Sequence, residues 1–181
     1  PAAGAAPKNG VKYKQGPRIG ALVLTIISFV WSIVTLAAPT WLTYDGGYLG
    51  LWVSCNDFTD SCADIDDAGW CSLLGESGSS CSAWSGLLAV RAFAVISIML
   101  GLMLLITTSM ITCCNSNVPK MVIVPTVAVI VFCEFLMIAV GGSWPGKIDV
   151  VDMSVGGAYV GLILCWLGMH VTTLVLTIVM Q

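Results

Sequence analysis

Residues 41–55 read "WLTYDGGYLGLWVSC", from Trp41 to Cys55, and the reading of this stretch decides the fold. Its Tyr, Leu, Trp and Val residues have strand composition. Asp45-Gly46-Gly47 interrupts the run, and an Asp-Gly pair between two such runs signals a hairpin. The stretch comes directly after an apolar segment that closes at Pro39. A small β-sheet is therefore predicted against the end of an apolar helix, with Gly50-Leu51-Trp52 just ahead of Cys55.

Composition says what that helix is for. Of the 181 residues, 57% are hydrophobic and only 9% charged, with a mean hydropathy of +0.95. A soluble domain carries about 25% charged residues, so most of this chain must face lipid. Four stretches reach the ~20 apolar residues that a span requires: 19–38, 84–112, 121–141 and 159–181. In lipid the backbone must satisfy its own hydrogen bonds, so each is predicted to be a helix. The first is too long for a signal-peptide core and has no small-residue cleavage site after it. The predicted fold is an all-α transmembrane four-helix bundle carrying a small extracellular antiparallel β-sheet. The chain begins without Met and ends within the fourth span, so it is expected to be part of a longer protein.

Orientation comes from the bases. Lys8, Lys12, Lys14 and Arg18 precede the first span, and Lys120 ends the loop 113–120. The positive-inside rule puts both segments, and hence the N-terminus, in the cytoplasm. Residues 39–83 and 142–158 are then the two outer loops. The first holds Asp45, Asp57, Asp60, Asp64, Asp66, Asp67 and Glu76 with no Lys or Arg. It also holds Cys55, Cys62, Cys71 and Cys81. Four cysteines in an oxidising compartment are expected to form two disulfides. Three pairings are open, and the nested one, Cys55–Cys81 with Cys62–Cys71, suits an antiparallel hairpin.

Trp41 and Trp52 fit two roles at once: anchors at the membrane interface and fasteners of the sheet to the bundle. Arg91, near the outer end of the second span, suits a tie to loop carbonyls through its planar, five-donor head. Glu134 lies midway along the third span, where an ionisable group marks a functional site by default. The plainer reading is a packing residue bonded to a Ser, a Thr or His170 of a neighbouring helix. His170, the chain's single histidine, is expected to be a helix–helix hydrogen-bonding residue. Pro125 is expected to bend the third span.

No catalytic constellation, phosphate loop, cofactor motif or metal-ligand set is present in the sequence, and nothing points to nucleic acid. The sequence reads as a non-enzyme. Between Asn56 and Asp67 five aspartates occur without a base: Asp57, Asp60, Asp64, Asp66 and Asp67. Such a run is either a solvated loop or a field that draws cations to an outer surface. Its spacing does not match an EF-hand loop, so no tight calcium site is expected. Phe58, among polar residues at the loop tip, is a candidate partner contact.

Trp41, Gly50-Leu51-Trp52 and Cys55 followed by a later cysteine resemble the W…GLW…C…C signature of the claudin superfamily, which includes claudins, the PMP22/EMP group and calcium channel gamma subunits. Arg91 occupies the place of that family's arginine in the second span. "SWPGKIDV" (residues 143–150), with Trp144 as a second candidate partner contact, resembles the start of the claudin second outer loop. "GAYVGLILCW" (157–166) is similar to the entry to its fourth span. Cys113 and Cys114 match a cytoplasmic pair that claudins often palmitoylate. The first loop departs from the pattern in holding four cysteines. Cys81 is taken as the family's second cysteine, with Cys71 the runner-up.

The resemblance implies a multi-pass plasma-membrane protein at cell–cell junctions. It would associate with itself or related chains, side by side and across cells, to form a barrier or a cation-selective paracellular path. An alternative on the same architecture is a gamma-like auxiliary subunit that shifts the gating or trafficking of an ion channel or receptor. A third possibility is a membrane organiser of the PMP22/EMP kind.

Overall fold

Arg18–Ala37, Ser85–Cys113 and Val122–Gly141 are helical stretches long and apolar enough to cross a membrane, and at most 33% of any of them is buried within the protein. Their remaining apolar surface has lipid as its natural solvent, and the protein is a membrane protein. The computed structural model describes residues 15–65, 82–113, 120–143, 154–171 and 173. In chain order the elements are α1 (Gln15–Ala37), β1 (Leu42–Tyr44), β2 (Gly47–Leu49), β3 (Val53–Asn56), β4 (Ser61–Asp64), α2 (Ser82–Cys113), α3 (Lys120–Gly141), β5 (Ser154–Val155) and α4 (Gly157–Cys165). A π-helical segment, Trp166–His170, continues α4.

The helices carry hydroxyls that lipid cannot solvate, and most of them bond back to their own helix. Thr25 donates to Ala21 O, Ser28 to Leu24 O, Thr107 to Met103 O, and Thr126 to Val122 O. This i−4 bonding satisfies the group without a partner helix. Pro39 stops α1, because the residue before a proline is pushed out of the helical region. Pro125 lies inside α3.

The sheet has the order β4-β3-β2-β1-β5 with every pairing antiparallel. Three strands begin within residues 41–55, the stretch of strand composition, and β4 falls within the acidic run that follows it. The fifth, Ser154–Val155, comes from the segment ahead of α4 and pairs with β1, which residue pattern alone did not reveal. Leu42 stands opposite Leu49. Both point into a core shared with Leu36, Leu87, Val90, Met137, Tyr159 and Leu162. One sheet face and the ends of four helices therefore bury one another. A second cluster, Leu104, Val127 and Ile130, joins α2 to α3 farther along the bundle.

The fourth span, expected as a helix over 159–181, begins at Gly157 and continues as π-helix from Trp166; apart from Thr173 its residues beyond 171 lie outside the described residues. The structure differs from the sequence reading in the cysteine pairing. Cys55 bonds to Cys62, not to Cys81, and Cys62 is not joined to Cys71. The reason is register: Cys55 and Cys62 face each other directly across β3 and β4, with Cα atoms 4.1 Å apart. The second cysteine of the stapled hairpin is thus the nearest one in sequence. Cys71 and Cys81 lie outside the described residues.

Candidate functional site

Gly50-Leu51-Trp52 divides one task among three residues. A Cβ at Gly50 would lie 2.7 Å from Pro39 Cα and 3.0 Å from Ala38 O. Only glycine lets the end of β2 pass so close to the end of α1. Leu51, 0% exposed, is the plug that enters the shared core. Trp52 turns its indole N–H to Leu36 O, 3.0 Å away, near the C-terminal end of α1. The carbonyls of a helix's last turn have no partner within the helix, so an indole donor there satisfies both groups. Trp41, 1% exposed, does the same for Thr35 O at 2.8 Å. Its ring meets Tyr159 edge-on at 5.8 Å, and the Tyr159 hydroxyl donates to Ile138 O.

Arg91 closes the junction from α2. Its Nε donates to Leu51 O at 2.7 Å and its Nη2 to Ile65 O at 3.4 Å. Its guanidinium carbon sits 5.4 Å from the centroid of the Trp52 ring, a cation–π contact. Trp41, Leu51, Trp52 and Arg91 thus converge on one joint between sheet and bundle. Arg91 also lies in the field of Asp64, which is exposed at the end of β4.

The β3–β4 hairpin tip is the opposite case. Residues 56–64 are all exposed. Asn56 Oδ1 accepts from the N–H groups of Phe58 (2.8 Å) and Thr59 (3.3 Å), an Asx turn. Asp60 takes a φ of 48°, which Asp tolerates better than most residues. Phe58 is 83% exposed. Its ring leans on the β1–β2 turn, where Gly46 has a φ of 96° and a Cβ would run into the Phe58 ring at Cε2. The tip therefore presents one aromatic ring with Asp57 and Asp60 on a stapled, capped turn. Asp45, in the neighbouring turn, is exposed too.

Midway along the bundle a buried polar layer joins the helices. Glu134, 0% exposed, faces His170 with Oε2 2.5 Å from Nδ1. Ser32 Oγ donates to Glu134 Oε1 at 3.4 Å and lies 3.6 Å from Cys165 Sγ. The π-segment has a part in this. A π turn takes one residue more than an α turn, which rotates the residues after it by about 100°. His170 stands at the end of that turn, facing Glu134. Two indoles add ties: Trp31 donates to Gly161 O at 3.0 Å and Trp166 to Val131 O at 2.8 Å.

The remaining sequence candidates fall into two groups. Cys113 is an exposed free cysteine at the end of α2. Asp66, Asp67, Cys114 and Trp144 lie outside the described residues. Among the described residues no group of three or more His, Cys, Asp or Glu side chains can hold a metal ion. Residue-by-residue reading passed over Tyr159, Ser32, Cys165 and Ser97. A signal for the polar layer was present: Thr25, Ser28, Ser32 and Thr35 recur at helical spacing on one stripe of α1, and all four are buried. For Tyr159 no such signal exists.

No model of a known protein family matches the chain, and a search of curated proteins finds no match.

Proposed function

We propose that the protein is a claudin-like tetraspan adhesion protein of cell–cell junctions. Its sheet end faces outside, and it associates with copies of itself or related chains to seal the gap between cells or pass cations through it. The observation that carries this reading is the contrast within the sheet. One side is locked to the bundle by Trp41, Leu51, Trp52 and Arg91, and the other offers a stapled tip bearing Phe58, Asp57 and Asp60. A rigid platform that displays an exposed aromatic and uncompensated carboxylates at its far end suits recognition of another surface and attraction of cations. The motif residues that resemble the claudin signature are also the ones that build the platform. The bases ahead of α1 and at Lys120, with a base-free acidic segment at the other end, support an outward-facing sheet.

The test is to express the protein, fluorescently tagged at its N-terminus, in fibroblasts that form no junctions of their own. Expressing cells are mixed with non-expressing ones. Enrichment only where two expressing cells touch is the expected result. Even distribution over the surface would overturn the adhesion reading and favour the auxiliary-subunit alternative, to be pursued by capture of the channel or receptor.

A further inference from the structure

Beside the Glu134–His170 pair lies a small cavity of about 10 Å³, roughly the room for one water. It is lined by Thr25, Ser28 and Ser32 of α1, Ser97 of α2, His170 and Thr173, with Phe29, Gly101, Leu104 and Ile130 closing the apolar side. Cavities that stay empty are apolar, whereas a polar one with several partners holds water.

Ser97 is the second, independent observation. It is 4% exposed. Its Oγ is the single buried side-chain oxygen or nitrogen among the described residues that has no hydrogen bond. The Cys133 thiol is close enough to interact with it, but no hydrogen bond of normal geometry forms. A hydroxyl in the middle of a helix usually bonds to the carbonyl four residues back, as Thr25 and Ser28 do on this cavity's other wall. Ser97 does not. Orphaned buried hydroxyls are uncommon and call for an unseen partner.

The chemistry of the walls defines that partner. Thr25 and Ser28 have already given their protons to backbone carbonyls, so toward the cavity they offer only lone pairs. His170 has its Nδ1 taken by Glu134, and its ring forms part of the cavity wall. An occupant must therefore be small, donate to hydroxyl oxygens and meet both Ser97 and the imidazole.

We propose that this cavity is a binding site for one water molecule, which bridges Ser97 Oγ to the His170 ring. The water completes a polar chain from α2 through His170 and Glu134 to Ser32 on α1, so that the three long helices and the π-segment meet in one network. Its place is set by the π turn that presents His170. The inference is independent of the adhesion reading, because it concerns only the interior of the bundle.

The test uses the full chain in detergent micelles with isotopically labelled histidine. The single histidine makes the ring signal unambiguous. Cross-relaxation between water and the His170 ring protons is expected in the wild type and is lost in Ser97→Ala. The sign of the stability change gives a second readout. With water bound, Ser97→Ala strands the water and the imidazole, and the thermal midpoint falls by about 2–6 °C. With a dry cavity it removes an orphaned hydroxyl, and the midpoint stays or rises. A rise, or no water cross-peak in the wild type, overturns the proposal. So does a midpoint that depends on sodium against choline chloride in the wild type and not in Ser97→Ala, because the occupant is then a cation. If Ser97→Ala does not fold, the wild-type cross-peak alone decides.

Discussion

The two ends of the β3–β4 hairpin share one ladder and one disulfide, yet they live in different physical worlds. At the bundle end, Leu51 is fully buried and Trp52 and Arg91 hand their donors to backbone carbonyls. At the tip, residues 56–61 are all exposed. Stability is concentrated where apolar area and otherwise unsatisfied carbonyls are buried together. The tip contributes little to folding and is free to be shaped for a partner. Substitutions should therefore separate along this line: those at the joint should change thermal stability, and those at the tip should change behaviour at cell contacts.

The largest effect is expected at Leu51. Leu51→Ala empties a core position and should cost about 2–5 kcal/mol, read as a large drop in the thermal midpoint in detergent. A loss under about 1 kcal/mol would mean that the sheet is not seated on the bundle as described. Breaking the staple comes next. Cys55→Ser opens a link between residues 7 apart in sequence and should cost roughly 2–3 kcal/mol by the chain-entropy account. Cys62→Ser should match it. If peptide mapping of the non-reduced protein joined Cys55 to Cys81 instead, the hairpin register would have to be redrawn.

Arg91→Met keeps the stem and removes the donors. Leaving Leu51 O and Ile65 O without the guanidinium should cost about 1.5–3 kcal/mol, checked by the same thermal measurement. Trp52→Phe keeps the ring and removes one indole donor, and about 1 kcal/mol is expected. The smallest stability effects belong to the tip. Phe58→Ala and the double change Asp57→Asn with Asp60→Asn should each shift stability by no more than about 0.5 kcal/mol. Their effect is expected elsewhere: Phe58→Ala should reduce enrichment at contacts between expressing cells. The double asparagine variant should lower the preference for cations across a cell layer. If both variants behaved as wild type there, the tip would not be the recognising surface.

How much of this was legible beforehand differs by residue. Gly46 and Trp52 carry their roles openly. A glycine in an Asp-Gly turn, or a tryptophan near a membrane edge, has few physical readings. Arg91 was legible as a tie to carbonyls because a guanidinium near a span's end needs acceptors. That those acceptors are Leu51 O and Ile65 O required the chain to be folded. The disulfide was misread because a nested scheme and a nearest-neighbour scheme have the same cysteine count, and only strand register separates them. The fifth strand escaped notice because two residues, Ser154 and Val155, form no pattern.

By itself the sequence determined what can be summed locally: the apolar runs that make spanning helices, the Asp-Gly hairpin, the acidic and base-free segment, and the residue types suited to a membrane edge. Lipid leaves a backbone few choices, and so composition alone fixed those helices. Tertiary structure decided the strand register that joins Cys55 to Cys62, and it alone decided what depends on two distant segments meeting: β5 on β1, Tyr159 against Trp41, and His170 against Glu134. Each of these rests on contacts of a few ångströms between residues up to 118 positions apart, and at that separation only the packing of the whole chain sets the distance.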